Sequence, residues 1–175
     1  MYSGSFSKGK LLCIGFILMF LLAISDQLTK YLILLNKENL YRDPLQIIPG
    51  VFNIVYVRNT GAAWGIFHGN NFALLAIAIV ALIAFSIFFK SITEWYPERV
   101  AGFFMIISGI IGNSIDRVFR GSVVDFLDFY YGQYHWPSFN VADSSICVGV
   151  FLIIISSLLR KTVKKEQSEL KSDEG

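Results

Sequence analysis

The sequence predicts an all-α membrane protein with four transmembrane helices. Three observations carry that prediction. The 175 residues are 54% hydrophobic and only 16% charged, with a mean hydropathy of +0.56; soluble domains carry about 25% charged residues. Four apolar stretches, at about residues 11–35, 72–89, 100–115 and 141–159, are candidates to cross the hydrocarbon layer. Lys and Arg gather at the chain ends and in alternate connections, as membrane flanks do. A chain this short holds one domain, residues 1–160, with a charged tail over 161–175. The net charge of +2 is too small to suggest nucleic acid.

Leu11–Ser25 is uncharged and follows Lys8 and Lys10, which at first resembles a signal peptide with a weak cleavage site at Ala23-Ile24-Ser25. Apolar residues resume at Tyr31–Leu35, so 11–35 reads as one span. Asp26 and Lys30 lie on one face of it at i,i+4 spacing, where they can pair. Residues 36–71 form a long polar connection, and long connections are often functional. Val51–Val57 is β-branched or aromatic except for Asn53, which favours a short strand or two. Arg58-Asn59-Thr60-Gly61-Ala62-Ala63-Trp64-Gly65 follows, small enough for close backbone approach.

The second span is uncharged, and Trp95 and Tyr96 in the 90–99 loop suit interface anchors. Ser108, Gly109 and Gly112 in the third span suit tight helix packing in lipid. The 116–140 connection carries Asp116, Asp125 and Asp128. Its aromatics, from Phe129 to Phe139, resemble a belt at a membrane surface. The charged tail is expected to fray. Cys13 and Cys147 sit inside apolar runs without metal-ligand neighbours and read as buried, inert thiols.

Four spans put both termini on one side. The N-terminus, the 90–99 loop and the tail hold nine Lys/Arg in 36 residues, against five in 61 for the other two connections. Both termini are therefore expected in the cytoplasm. Every Asp except Asp173 then falls on the outer side.

An acidic residue at the mouth of the fourth span, Asp143, is costly beside hydrocarbon. Asn140 with Asp143 three residues on also fits a helix capping box. Asp125 and Asp128 both lie close enough in sequence to partner Asp143, and spacing does not choose between them. Asp116 beside Arg117 reads as a local ion pair. Two close carboxylates cannot both ionise, so they share a proton; one can activate water while the other donates to a carbonyl oxygen. That chemistry cuts a peptide bond without metal or cofactor. The only histidines are His68 and His135, with no HExxH. Gly112-Asn113-Ser114 lacks the glycine and histidine of a nucleophile loop.

Five blocks over about 120 residues resemble lipoprotein signal peptidase, the bacterial signal peptidase II family. They are Ser25-Asp26-Gln27-Leu28-Thr29-Lys30, Asn59–Gly65, Gly112-Asn113-Ser114-Ile115-Asp116-Arg117, Val123-Val124-Asp125-Phe126 and Phe139-Asn140-Val141-Ala142-Asp143-Ser144. The resemblance implies an inner-membrane aspartyl endopeptidase that cuts prolipoproteins before a diacylglyceryl-modified cysteine. It implies Asp125 and Asp143 as the catalytic pair. Asp26, Lys30, Asn59, Gly61, Asn113, Asp116, Arg117 and Asn140 would orient the pair and the substrate. The long connection would be a small extracytoplasmic β-platform, and globomycin-type inhibitors would occupy the site. No metal or cofactor is implied, and a monomer is expected. Ile110, where the family carries alanine, questions close packing of the third span; Trp64 replaces a common phenylalanine. Two rivals make different predictions. A proton-coupled transporter would spread its carboxylates through the bilayer depth, and a non-enzymatic lipoprotein-binding protein would tolerate their loss.

Overall fold

The computed structural model describes residues 6–61 and 69–173. Ala62, Ala63, Trp64, Gly65 and His68 lie outside them. Among the described residues five helices and four strands follow in the order α1 (Lys8–Leu35), α2 (Lys37–Arg42), β1 (Leu45–Ile48), β2 (Phe52–Asn59), α3 (Asn71–Thr93), α4 (Pro97–Arg120), β3 (Val123–Tyr131), β4 (Tyr134–His135) and α5 (Val141–Asp173). Helices α1, α3, α4 and the first 21 residues of α5 are each long and apolar enough to cross a membrane.

Local chemistry sets the helix ends. The Ser7 hydroxyl accepts from the Lys10 amide and starts α1. Asn70 does the same for α3 through the Ala73 amide at 3.0 Å. Pro97 opens α4, where its missing N–H costs nothing, and Gly121 closes it at φ 71, a left-handed geometry that glycine adopts without strain. Asn140 and Asp143 form the expected capping box at α5: the Asp143 amide donates to Asn140 Oδ1 at 3.0 Å, and the Asn140 amide to Asp143 Oδ2 at 3.2 Å.

Helix α4 is the hub. It packs against α1, α3 and α5, and 56% of its apolar window is buried against 6% for α3. Its small residues explain this. Gly102 faces Gly149 on α5 so closely that a Cβ on either would lie 2.6 or 2.5 Å from the other's carbonyl oxygen. In lipid, where the hydrophobic effect does not drive helices together, such approach supplies the packing. Gly109 meets the Ala142 carbonyl in the same way, while Ile110 stays partly exposed, so the bulk at 110 does not open this seam. Gly102→Ala should therefore lower stability by about 1–3 kcal/mol, read as a lower Tm in detergent; an unchanged Tm would refute this tight seam.

The four strands form one antiparallel sheet, ordered β1-β2-β3-β4, at the end of the bundle opposite the termini. Ile33, Val124 and Phe126 are buried together beneath it, with Ile54 and Val141 alongside. At the other end Leu11, Val100, Phe103 and Phe104 make a second apolar cluster.

Several expectations are corrected. The third span does not stop near 115: α4 runs to Arg120, because the polar residues of its last turns find partners inside the protein. The 116–140 connection is not one loop: after the end of α4 it carries β3 and β4. Its aromatics Tyr131, Tyr134 and Trp136 stand exposed on this segment, and the partly exposed Phe129 stacks on Phe52 and Phe139. The tail continues α5 to Asp173. Cys13 and Cys147 are free but lie on the outer surface of the bundle, not in its core.

Candidate active site

The site forms where α1, α4, β2, β3 and the start of α5 converge under the sheet. Strand alternation separates the two rival aspartates on β3. Asp125 and Asp128 are an odd number of residues apart and so face opposite sides of the sheet. Asp128 turns toward Asn53 and His135, whose Nδ1 lies 2.9 Å away. Asp125, 2% exposed, turns inward.

There each oxygen of Asp125 accepts one amide bond at 2.8 Å, Oδ2 from Asn59 and Oδ1 from Asn140. Asn140 is fully buried and contacts both carboxylates, since its backbone amide also donates to Asp143. The second oxygen of Asp143 accepts from Asn113 Nδ2 at 2.7 Å. Asn59 is itself steadied by the Gly61 amide, and Arg117 donates to the carbonyls of Gly61 and Asn113.

Behind this pair lies a buried charge cluster. Lys30 is fully buried, and its three N–H groups reach Asp26 Oδ2 at 2.8 Å, Asn113 Oδ1 at 3.0 Å and Asp116 Oδ2 at 3.1 Å. Asp26 also accepts from the Ala142 amide at 2.9 Å, and Asp116 from the Val124 amide at 3.0 Å. Those amides belong to the residues immediately before Asp143 and Asp125. One lysine therefore ties together the two elements that carry the two carboxylates.

All ten residues singled out in the sequence thus join one continuous network. The pairing of Asp116 with Arg117 is corrected: Asp116 pairs with Lys30 and Arg120. Adjacent residues point about 100° apart on a helix, whereas i,i+4 neighbours share a face. Two further residues, Arg120 and Gln27, join the network. Gln27 Nε2 donates to Asp26, Asp116 and the Gly112 carbonyl, and its Oε1 accepts from Arg120. The Asp116–Arg120 spacing was the one signal for them in the sequence. Among the described residues, no three His, Cys, Asp or Glu side chains gather to hold a metal.

Burial, and then the charge of Asp143, push the Asp125 carboxyl up from 3.8 to about 7; the amide donors of Asn59 and Asn140 oppose the rise. The unfolded carboxyl ionises near 3.8 and the folded one near 7, so between them the native state holds a proton that the unfolded state has lost. Stability falls as pH rises through that window, by up to about 1.4 kcal/mol per pH unit. Asp125→Asn does not titrate, so its Tm should gain steadily on wild type from pH 4 to pH 7. Parallel Tm curves would show that Asp125 is not held protonated.

The sequence profile of the family described as Signal peptidase (SPase) II matches residues 18–159. The chain belongs to the signal peptidase II family. It is 40% identical over 153 residues to the lipoprotein signal peptidase of Bacillus pumilus, covering 87% of this chain and 97% of that one. To the lipoprotein signal peptidase of a Staphylococcus aureus strain it is 41% identical over 148 residues, covering 85% and 89%. A solved bacterial membrane enzyme, determined by the in meso method at 2.3 Å resolution, superposes with a TM-score of 0.78 at 39% identity, covering 87% of this chain and 91% of that one. With its four long apolar helices, this member of the family is a bacterial multi-pass membrane protein.

Proposed function

We propose that this member of the signal peptidase II family, which removes signal peptides from prolipoproteins, cuts diacylglyceryl-modified precursors by aspartyl chemistry, with Asp125 and Asp143 as the catalytic dyad. The observation that carries the reading is Asn140, which bonds both carboxylates in a buried setting. Two carboxylates so placed hold one proton between them. The charged member draws a proton from a water as that water adds to the scissile carbonyl. The protonated member donates to the carbonyl oxygen, which gives a neutral tetrahedral intermediate. Its collapse breaks the C–N bond and passes a proton to the leaving amine, and the dyad again holds a single proton.

Asn59, Asn113 and Asn140 keep the two carboxylates in register by bonding them, and Asp26, Lys30 and Asp116 fix the backbone on which they stand. Gly61, just past β2, and Arg117 of α4, which donates to its carbonyl, border the dyad and are suited to orient substrate; globomycin-type inhibitors would compete there. The distribution of Lys and Arg supports cytoplasmic termini and a dyad near the outer membrane surface, the depth at which a lipid-anchored cysteine presents its preceding bond. Gathering of the carboxylates at one end of the bundle speaks against a transport relay.

The test uses purified protein in detergent with matched precursors, one carrying a diacylglyceryl cysteine and one unmodified. Mass spectrometry should find the lipidated cysteine as the new N-terminus, with the unmodified precursor uncut. Equal cleavage of both would remove the lipid requirement, and no cleavage of either would favour a binding protein.

A further inference from the structure

Asp26 and Asp116 are two buried carboxylates held by one buried ammonium. With Lys30 alone the cluster would carry a net negative charge beside the dyad. Arg120 pairs with Asp116 and brings the sum to zero. Gln27 spans the same two carboxylates with its amide nitrogen, at 3.1 Å from Asp26 and 3.2 Å from Asp116, and accepts from Arg120 at 2.9 Å. These contacts bear directly on the site, because Asp26 and Asp116 grip the amides of Ala142 and Val124, one residue before each dyad aspartate.

We infer that Gln27 and Arg120 are positioning residues of the reaction: together they clamp the Asp26–Lys30–Asp116 cluster from behind, and Arg120 neutralises it, so that dyad spacing and dyad proton affinity are set from α1 and α4. The inference rests on the dyad reading above. The charged groups that act on the dyad directly are Lys30 and Asp26 from α1 and Arg117 from α4, with Asp116 and Arg120 of α4 behind Lys30. Strand β2 contributes the neutral Asn59, and Arg58 of that strand turns to Ser122. Beyond the dyad itself, the described part of β3 and α5 adds no further charge to this face.

The two residues act differently, and this separates positioning from mere folding. Arg120→Gln removes a positive charge. The cluster becomes net negative, the dyad holds its proton more tightly, and the alkaline limb of kcat/KM moves to higher pH, by about half a unit or more. Arg120→Lys keeps the charge and should return the limb to its wild-type position. Gln27→Met leaves the charge unchanged but removes the bridge; kcat should fall roughly 10- to 100-fold, with KM and the limb unmoved.

The experiment is a pH series of kcat and KM on a diacylglyceryl prolipoprotein in detergent. It compares wild type, Arg120→Gln, Arg120→Lys and Gln27→Met, with Asp125→Asn and Asp143→Asn as controls. The inference is overturned if Arg120→Gln leaves the limb in place, or if Gln27→Met loses activity only in proportion to its unfolded fraction. Should Arg120→Gln fail to fold, Gln27→Met still decides, through its kcat at equal folded protein. If both aspartate controls retain cleavage, the dyad reading fails; if they are inactive while Gln27→Met and Arg120→Gln match wild type, only this inference does.

Discussion

Asp125→Asn and Asp143→Asn should each lower cleavage by roughly a thousandfold or more, since a positioned acid or base contributes about 10²–10⁴ and the two act as a unit. Asparagine keeps the size and planarity of the side chain. At 125 it can still accept one of the two amide bonds that Asn59 and Asn140 make to the carboxylate. At 143 it keeps an oxygen for the capping box. Neither variant should lose its fold, so the loss falls on the chemistry. An asparagine can neither take the proton from water nor share one with the remaining carboxylate. Loss of activity with insertion and Tm retained marks these residues as chemical rather than structural.

Lys30→Met should act the other way, on the fold first. The methionine has nearly the same length, but it leaves Asp26 and Asp116 buried at 1% and 0% exposure without the cation that holds both. Breaking a buried ion pair by removing one partner costs about 3–5 kcal/mol, because the remaining charge is uncompensated. Here Arg120 still offsets Asp116, and Asp26 bears most of the loss. Thermal unfolding in detergent measures the effect. Adding Asp26→Asn to Lys30→Met should recover part of the stability, since it removes the orphaned charge. A Lys30→Met protein as stable as wild type would mean that the cluster does not fasten α1 to α4.

Much of this arrangement is legible in the chain because it is local. The Asp26–Lys30 pair and the Asn140–Asp143 capping box are fixed by helix geometry within four residues. The four spans are legible because length and apolarity are what a bilayer demands. Strand β3 is less so. Val123 to Tyr131 mixes two aspartates with aromatics, which reads as an interfacial loop until β2 is set beside it. Then Asp125 faces the site and Asp128 the far side. The choice between those two aspartates came from family resemblance, and strand alternation supplies its physical reason. Gln27 was out of reach because its partners on α4 are 85 to 93 residues away. Adjacency in sequence suggests Arg117 as the partner of Asp116, but helix geometry favours Arg120.

The central claim is that Asp125 and Asp143 together cut the substrate. The most direct measurement is a gel-shift assay of diacylglyceryl prolipoprotein in detergent, with a chelator throughout. It compares wild type, Asp125→Asn and Asp143→Asn at equal amounts of folded protein. The account predicts cleavage by wild type alone. Cleavage by Asp143→Asn at a wild-type rate would reduce Asp143 to a helix cap and contradict the dyad.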